Sequence, residues 1–455
     1  MSSIYELATW EPLLWLLYQD NSERLAAPGG HVAGHISQGA WSVPVRRRSP
    51  PPGQASQIED MQEEYDAVGR VHTALAESGV DGVAFVAEIS PAGRAVLHLI
   101  ETGPAVEPGI GGPHPGPILL VEGAVPEPWR RLPDPADSVS PDPAADPAAL
   151  ERTLRERLPD AIGATEEEIE AAENRLGLAL PEELKALYRV TRARWEDWDG
   201  DYDKAEQVYD AVGCELLPLD RLYVAEASTR RCSWQFAAME AVVTPSDAKV
   251  QGVVGSPGWI VFGDNGGGDR LAVDLTPGPR GHRGQIVLIG HEDNIGADLL
   301  AASLTDLVHN GEHEERARRR EAPEVAYVNV GSVGSIEEAA HPALEVLSIG
   351  VLPEGAAVSL APVVGLPRLR TLSAYPGTLA NPLEIGRLTG LEYLELAPEQ
   401  WRTLLDADAV PRSLLAAGIE VLGEHHPLPV VDLANELLAR WDRPPMTRTV
   451  LEGDL

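Results

Sequence analysis

Hydrophobic and polar positions change rhythm several times along this chain, and each change marks a different kind of element. Apolar residues recur with helical spacing from Ile4 to Tyr18 and again from Gln54 to Ser78. The rhythm then becomes strand-like: Val83-Ala84-Phe85-Val86 and Ala95-Val96-Leu97-His98-Leu99 flank Ser90-Pro91-Ala92-Gly93, the order of a β-hairpin. Ile118 to Val121 supplies a further strand. Residues 1–131 therefore read as a small α+β domain of no assigned family, carrying a basic, proline-rich and solvated loop at Arg46, Arg47, Arg48 and Pro50 to Pro52. From Leu132 the chain reads LPDPADSVSPDPAADP, in which proline forbids helix interiors and aspartates repel one another, so 132–149 is expected to be a semi-extended linker.

Helical spacing returns in residues 150–311. Thr165 and Glu168 form a capping-box pattern ahead of Ile169, Ala172 and Leu176 on one face, and Gly177 stops the helix. Pro181 is placed as the first residue of a second helix with Leu184, Leu187 and Tyr188 as its buried stripe. Downstream, Trp259-Ile260-Val261-Phe262 and Leu271-Ala272-Val273-Asp274-Leu275 bracket GDNGGGDR, whose glycines permit the positive φ angles of a tight hairpin. Gln285 to Ile289 adds a strand. A last helix is expected from near Asp298, with Leu300, Leu304, Leu307 and Val308 apolar and Gly311 as terminator.

Three of these segments, Thr165 to Tyr188, Val261 to Leu275 and Asp298 to Val308, together resemble the SUKH superfamily in its SMI/KNR form, a group that contains toxin-immunity proteins and cell-wall assembly regulators. The resemblance implies an α+β domain with a mixed sheet and flanking helices, used to bind another protein. It departs in one place: where the family carries an Asn-Gly turn after the second helix, this chain has TRARWEDWDGDYDKAEQ.

The last segment, 322–443, repeats a leucine spacing: Leu344, Leu347 and Ile349, then Leu369 and Leu372, then Leu391, Leu394 and Leu396, with Ile419 and Val421 in phase. It resembles leucine-rich repeats, whose steps of about 20–29 residues each add one short parallel strand. The consensus asparagine is absent, and a small α/β domain with leucines at this spacing is the other reading. Val328 and Val330 would begin the array, Leu433 to Trp441 would cap it, Glu312 to Glu321 would connect it to the middle domain, and 444–455 would be a tail. The fold class expected is thus α+β, multi-domain.

At 455 residues the chain exceeds one ordinary core. Its formal charge of −35 repels phosphate backbones and anionic membrane surfaces, so neither nucleic acid nor membrane is an expected partner. The same field accelerates encounter with a basic protein, although acidity that merely keeps the chain dissolved is an equal reading. Cys214 and Cys232 are the only cysteines and form no CxxC pair, which fits a reducing compartment. No uncharged apolar run approaches the roughly 20 residues that span a bilayer. The expected location is the cytoplasm.

Little in the sequence suggests covalent chemistry. GDNGGGDR lacks the Lys-Ser/Thr and following helix of a phosphate loop. Asp197, Asp199, Asp201 and Asp203 alternate as in a calcium loop, yet Tyr202 stands where an EF-hand needs glycine and Val208 where it needs glutamate. His309 and His313 have ligand spacing but Gly311 between them and no third partner, and His425-His426 is similarly isolated. No cofactor or metal is expected, and no nucleophile elbow is present. Trp195, Trp198, Tyr202 and Tyr209 lie among the carboxylates of the same acidic stretch, the composition of a contact surface for a basic protein. Whether 195–210 binds protein, Ca²⁺ or neither stays open at this level. The candidate contact residues are Trp195, Asp197, Trp198, Asp199, Asp201, Tyr202 and Asp203, assisted by Asp264, Asn265 and Asp269 of the glycine-rich turn. The expected function is a non-enzymatic immunity-type protein that neutralises a basic toxin domain. The alternatives are a regulatory scaffold and an enzyme seated in the N-terminal segment.

Overall fold

The computed structural model describes residues 3–46, 61–108, 116–135, 140–311, 323–422 and 425–455. The architecture is α+β with several sheets. The chain divides into two compact units, one made of 1–124 with 326–455 and the other of 125–325.

In the first unit, a five-stranded antiparallel sheet runs in the order Thr447–Asp454, Arg94–Glu101, Gly82–Ile89, Val32–Ser37 and Ala40–Ser42. Helices Leu7–Leu25 and Gln62–Ser78 bury Trp10, Leu13, Leu14, Leu17, Val68, Val71 and Leu75 in one core with Phe85, Leu97 and Leu99. The hairpin expected across Ser90–Gly93 is present, with Ala87 opposite Leu97. A second, seven-stranded sheet runs Val325–Val328, Val346–Ile349, Thr371–Ala374, Tyr393–Leu396, Ala416–Ile419, Pro117–Leu120 and Val106–Pro108. Val346–Ile349 through Ala416–Ile419 are parallel, in register at Leu347, Leu372, Leu394 and Ala417, so the leucine spacing does place one inward row per turn. Val330, however, lies beyond the first strand and is 71% exposed. The helix expected over Leu433–Trp441 runs instead from Pro427 to Arg440.

The expected linear order of domains differs from this arrangement in two places. Pro117–Leu120 pairs with Ala416–Ile419, and Thr447–Asp454 pairs with Arg94–Glu101 along eight residues, so most of the expected tail 444–455 is a sheet strand. Both pairings span hundreds of residues, and the alternation of exposed and half-buried positions in Thr447–Asp454 leaves it too polar to stand out as a strand. The expected connector 312–321, the loop from Arg47 to Pro52 and the start of the Gln54 helix lie outside the described residues.

The second unit is built on an antiparallel sheet in the order Asp298–Ala301, Gln285–Ile289, Arg270–Asp274, Trp259–Asp264 and Glu215–Leu216, with Tyr223–Val224 also on Trp259–Asp264. Successive side chains of a strand point to opposite faces. Here both faces are covered, which is why these strands read as continuous apolar runs. Ile260, Phe262, Leu271 and Val273 join helices Pro147–Arg157, Glu166–Leu176, Glu182–Tyr188, Tyr202–Val212 and Leu304–Asn310 in one core. Trp259, Val261, Ala272 and Val287 form a smaller one on the other face.

Two expectations are corrected here. The end of the linker is helical from Pro147, because the Asp146 carboxylate caps the N–H groups of Ala148 and Ala149 and Leu150 and Leu154 are fully buried. Asp298 begins a strand instead of the last helix: Leu300 and Ala301 complete the sheet, and the helix starts at Leu304 under the Ser303 cap.

Candidate functional site

Two acidic segments of the second unit carry the residues singled out from sequence. The first is the turn of the hairpin Trp259–Asp264/Arg270–Asp274. Asp264 Oδ1 accepts the N–H of Gly266 at 2.7 Å, and Asn265 Oδ1 accepts those of Gly267 and Asp269 at 2.8 and 3.1 Å. Asn265 Nδ2 donates to the Asp269 carboxylate at 2.8 Å. Gly266 and Gly268 take φ of +79° and +104°, conformations that disfavour any side chain. Asp264 also pairs with Arg270, and Asp269 accepts from the backbone and ring nitrogens of His291 at 2.9 and 2.7 Å. Those bonds hold the Asp269 carboxyl below the usual carboxylate range and raise the His291 imidazole. A Cβ on Gly263 would meet Cys214 Sγ at 2.5 Å, so the strand entering this turn needs glycine to lie against the neighbouring segment. The hairpin therefore uses its polar atoms on itself. It has neither the lysine nor the helix that would cradle a nucleotide.

The second segment is 195–212. This acidic stretch, standing where the family has a turn, forms a short 3₁₀ turn, Trp195–Trp198, followed by helix Tyr202–Val212. Its carboxylates fall into two classes. Asp197 is nearly buried in a bidentate pair with Arg192, 2.7 Å on each arm, which keeps its carboxyl below the ordinary range. Asp201 caps the helix by accepting the Asp203 N–H. Asp199, in left-handed conformation at φ +51°, and Asp203 are exposed. Among the described residues neither carboxylate makes a hydrogen bond or ion pair. With Asp201 and Asp203 on a helix start and Asp197 paired inward, the alternating aspartates do not surround a common point. Among the described residues no group of three or more His, Cys, Asp or Glu is placed to hold a metal ion.

The aromatics of this segment stand outward together. Trp195 meets Trp198 edge-on, with ring centroids 5.9 Å apart, and Tyr202 at 4.9 Å. Trp198 rests partly on the helical core, whereas Trp195 is 43% and Tyr202 76% exposed. Tyr209, two turns on from Tyr202, is exposed on the same helix face. Exposed aromatics clustered this way are uncommon on a surface with no partner.

A recess of about 320 Å³ lies elsewhere in this unit, lined in part by Trp129, Arg230, Cys232, His291 and Asn294. Its deepest cation, Arg230, donates to the carbonyls of Val254 and Gly296 at 2.8 Å, to Gly290 at 3.4 Å and to Asp293. Those bonds stitch three loops together. Of the isolated histidines, His309 bonds Thr153 at 2.9 Å, His313 is outside the described residues, and His426 caps helix Pro427–Arg440 at the Leu428 N–H.

The helix pair, glycine-rich hairpin and closing helix thus occur in the order seen from sequence, and the SMI1/KNR4 family model (SUKH-1) matches residues 163–310. Residues 163–310 are a SUKH-1 domain. The match starts after helix Pro147–Arg157, yet that helix shares the domain's core. Related proteins include a glucan synthesis regulatory protein of Neurospora crassa, 37% identical over 67 residues (15% of this chain, 13% of the relative). The cell wall biosynthesis/cell cycle regulator smi1 of Schizosaccharomyces pombe is 25% identical over 163 residues (32% and 31%), and a KNR4/SMI1 homolog of Yarrowia lipolytica is 44% identical over 46 (10% and 6%). The chain therefore covers less than a third of the length of each.

One structural residue of the SUKH-1 domain was visible only as part of a motif. Glu183, in LPEELK, is buried and accepts the Leu304 and Thr305 N–H groups at 3.2 and 3.0 Å, capping the closing helix from the second one. A charged residue beside a buried stripe was the available signal.

Proposed function

We propose that this chain is a non-enzymatic, cytoplasmic protein-binding module whose SUKH-1 domain docks a basic protein, most concretely a toxin domain that it neutralises. The observation that carries this reading is the cluster of exposed Trp195 and Tyr202 around half-buried Trp198, beside Asp199 and Asp203, which have no bonding partner among the described residues, on a segment that replaces the family's short turn. Large aromatics at the centre and charge at the edge are how protein interfaces concentrate their binding energy. The net charge of −35 supplies the steering field. Asp264, Asn265 and Asp269 support the fold of the neighbouring hairpin in this reading, and contribute to docking only through its shape. Co-expression with toxins encoded beside the gene tests the proposal: rescue of growth that is lost when residues 195–203 are replaced by a Gly/Ser loop supports it. Failure to bind or rescue against every such toxin overturns neutralisation.

The second reading is a regulatory scaffold, favoured by relatives named as regulators of glucan synthesis and of cell-wall biosynthesis. There the same surface would hold a cellular partner, and the parallel-strand array of the other unit would offer a second one. A gene standing among cell-wall functions, with no toxin beside it, supports this alternative.

A further inference from the structure

The chemistry of the 195–209 surface narrows its partner further, on the condition that the docking reading above is right. Between Trp195 and Val212 there are seven carboxylates and one cation, Lys204. Two of the seven, Asp197 and Asp201, are spent on Arg192 and on the helix cap. The other five, Glu196, Asp199, Asp203, Glu206 and Asp210, are exposed; Asp199, Asp203 and Glu206 stand nearest Tyr202 in sequence, and Tyr202 meets the Trp195 ring at 4.9 Å with the rings inclined at 63°. Tyr202 is 76% exposed beside that neighbouring ring, and among the described residues Asp199, Asp203 and Glu206 have no bonding partner.

We propose that this surface selects arginine side chains of the partner over lysine. A guanidinium is planar, weakly hydrated and rich in directed N–H donors, so it stacks on an aromatic face while its edge bonds carboxylates. An ammonium is compact and strongly hydrated, and gains the Coulomb attraction without the stacking. The domain uses the same chemistry internally a few residues away, where Arg192 grips Asp197 with both arms.

The test uses the full chain and two dye-labelled probes, a hexa-arginine and a hexa-lysine peptide, with binding read by fluorescence anisotropy at low and moderate salt. A cation–π contact at an exposed site implies that the arginine peptide binds roughly two- to fivefold more tightly. Tyr202→Phe keeps that preference because the ring face remains; Tyr202→Ala and Trp195→Ala abolish it, with thermal stability unchanged. Asp199→Asn with Asp203→Asn weakens both peptides and flattens their salt dependence. Equal affinities in the unmutated chain, or a preference that survives Tyr202→Ala, overturn the proposal, since either means that diffuse negative charge does the binding. A cognate protein that docks on the domain away from residues 195–209 overturns the docking reading instead, whatever the peptides do.

Discussion

The glycine-rich turn at 264–269 and the segment at 195–203 belong to the same domain and are composed alike, from aspartates and glycine beside aromatic or apolar residues. Their side chains do opposite things. In the turn, Asp264, Asn265 and Asp269 each bond backbone N–H groups or a neighbouring cation, and the pattern closes on itself. In the other segment only Asp197 and Asp201 bond within the domain, while Asp199, Asp203, Trp195 and Tyr202 face solvent. Composition therefore says that a segment is acidic, and hydrogen-bond accounting says whether its charge is available. A turn that must present positive φ at Gly266 and Gly268 needs its polar side chains to hold it. A helix start needs only one cap, and the rest are left over.

The largest effect that sharpens this contrast comes from the far end of the hairpin. Asp274 is fully buried, accepts from Thr276 and Gln285 at 2.8 and 2.9 Å, and has its carboxyl pushed up to about 6 by burial. Its folded pKa lies above the unfolded value near 3.8, so the folded state holds a proton that the unfolded state has lost. Its contribution to stability falls as pH rises from about 4 to about 6, by up to about 3 kcal/mol at about 1.4 kcal/mol per pH unit. Asp274→Asn is expected to remove that slope from chemical-denaturation curves, and an unchanged slope would show that this carboxylate is not desolvated. Next in size, Asn265→Ala takes an acceptor from two backbone N–H groups and a donor from Asp269, and is expected to cost about 2 kcal/mol in denaturation midpoint while leaving partner affinity per folded molecule intact. Trp195→Ala is the mirror experiment: about 1–2 kcal/mol off partner binding, measured by calorimetry, with stability moved by less than about 0.5 kcal/mol. If Asn265→Ala weakened binding at unchanged stability, or Trp195→Ala unfolded the domain, the two segments would not differ as described.

Much of this was legible in the chain. The capping box at Thr165 and Glu168 forms as written, with both reciprocal bonds, because it depends on four consecutive residues. The hairpin and the parallel leucine rows followed from local periodicity for the same reason. What escaped were partnerships across long separations: Thr447–Asp454 completing a sheet begun before residue 102, Pro117–Leu120 joining the leucine array, and Glu183 capping a helix more than a hundred residues away. The helix Pro147–Arg157 escaped for a different reason. Repeated Asp-Pro dominated its surroundings, although Asp146-Pro147 followed by Leu150 and Leu154 is itself a helix start. At the candidate surface, the residue types were readable and their division into inward and outward carboxylates was not, since that depends on Arg192 reaching Asp197.

The smallest effect concerns that division directly. The Asp269 carboxylate bonds the His291 ring, which raises the imidazole above its ordinary 6.5, whereas Asp197 is held by an arginine that does not titrate. A histidine whose folded pKa is raised gives stability that is fully present below the unfolded value and is lost as pH rises through the folded one. The turn is therefore expected to loosen slightly as pH passes upward through the His291 midpoint. The Asp197–Arg192 pair, with its carboxyl held below the ordinary range, gives stability that is lost only as acid protonates Asp197. An NMR titration of the His291 ring, compared with Asp269→Asn, checks this: the midpoint should lie above 6.5 and return toward it in the variant. Both regions remain acidic throughout that range, so a pH response confined to the turn would show that pairing, and not net charge, separates the two. A titrating response at Trp195 and Tyr202 in the same window would put a second ionising group against the docking surface.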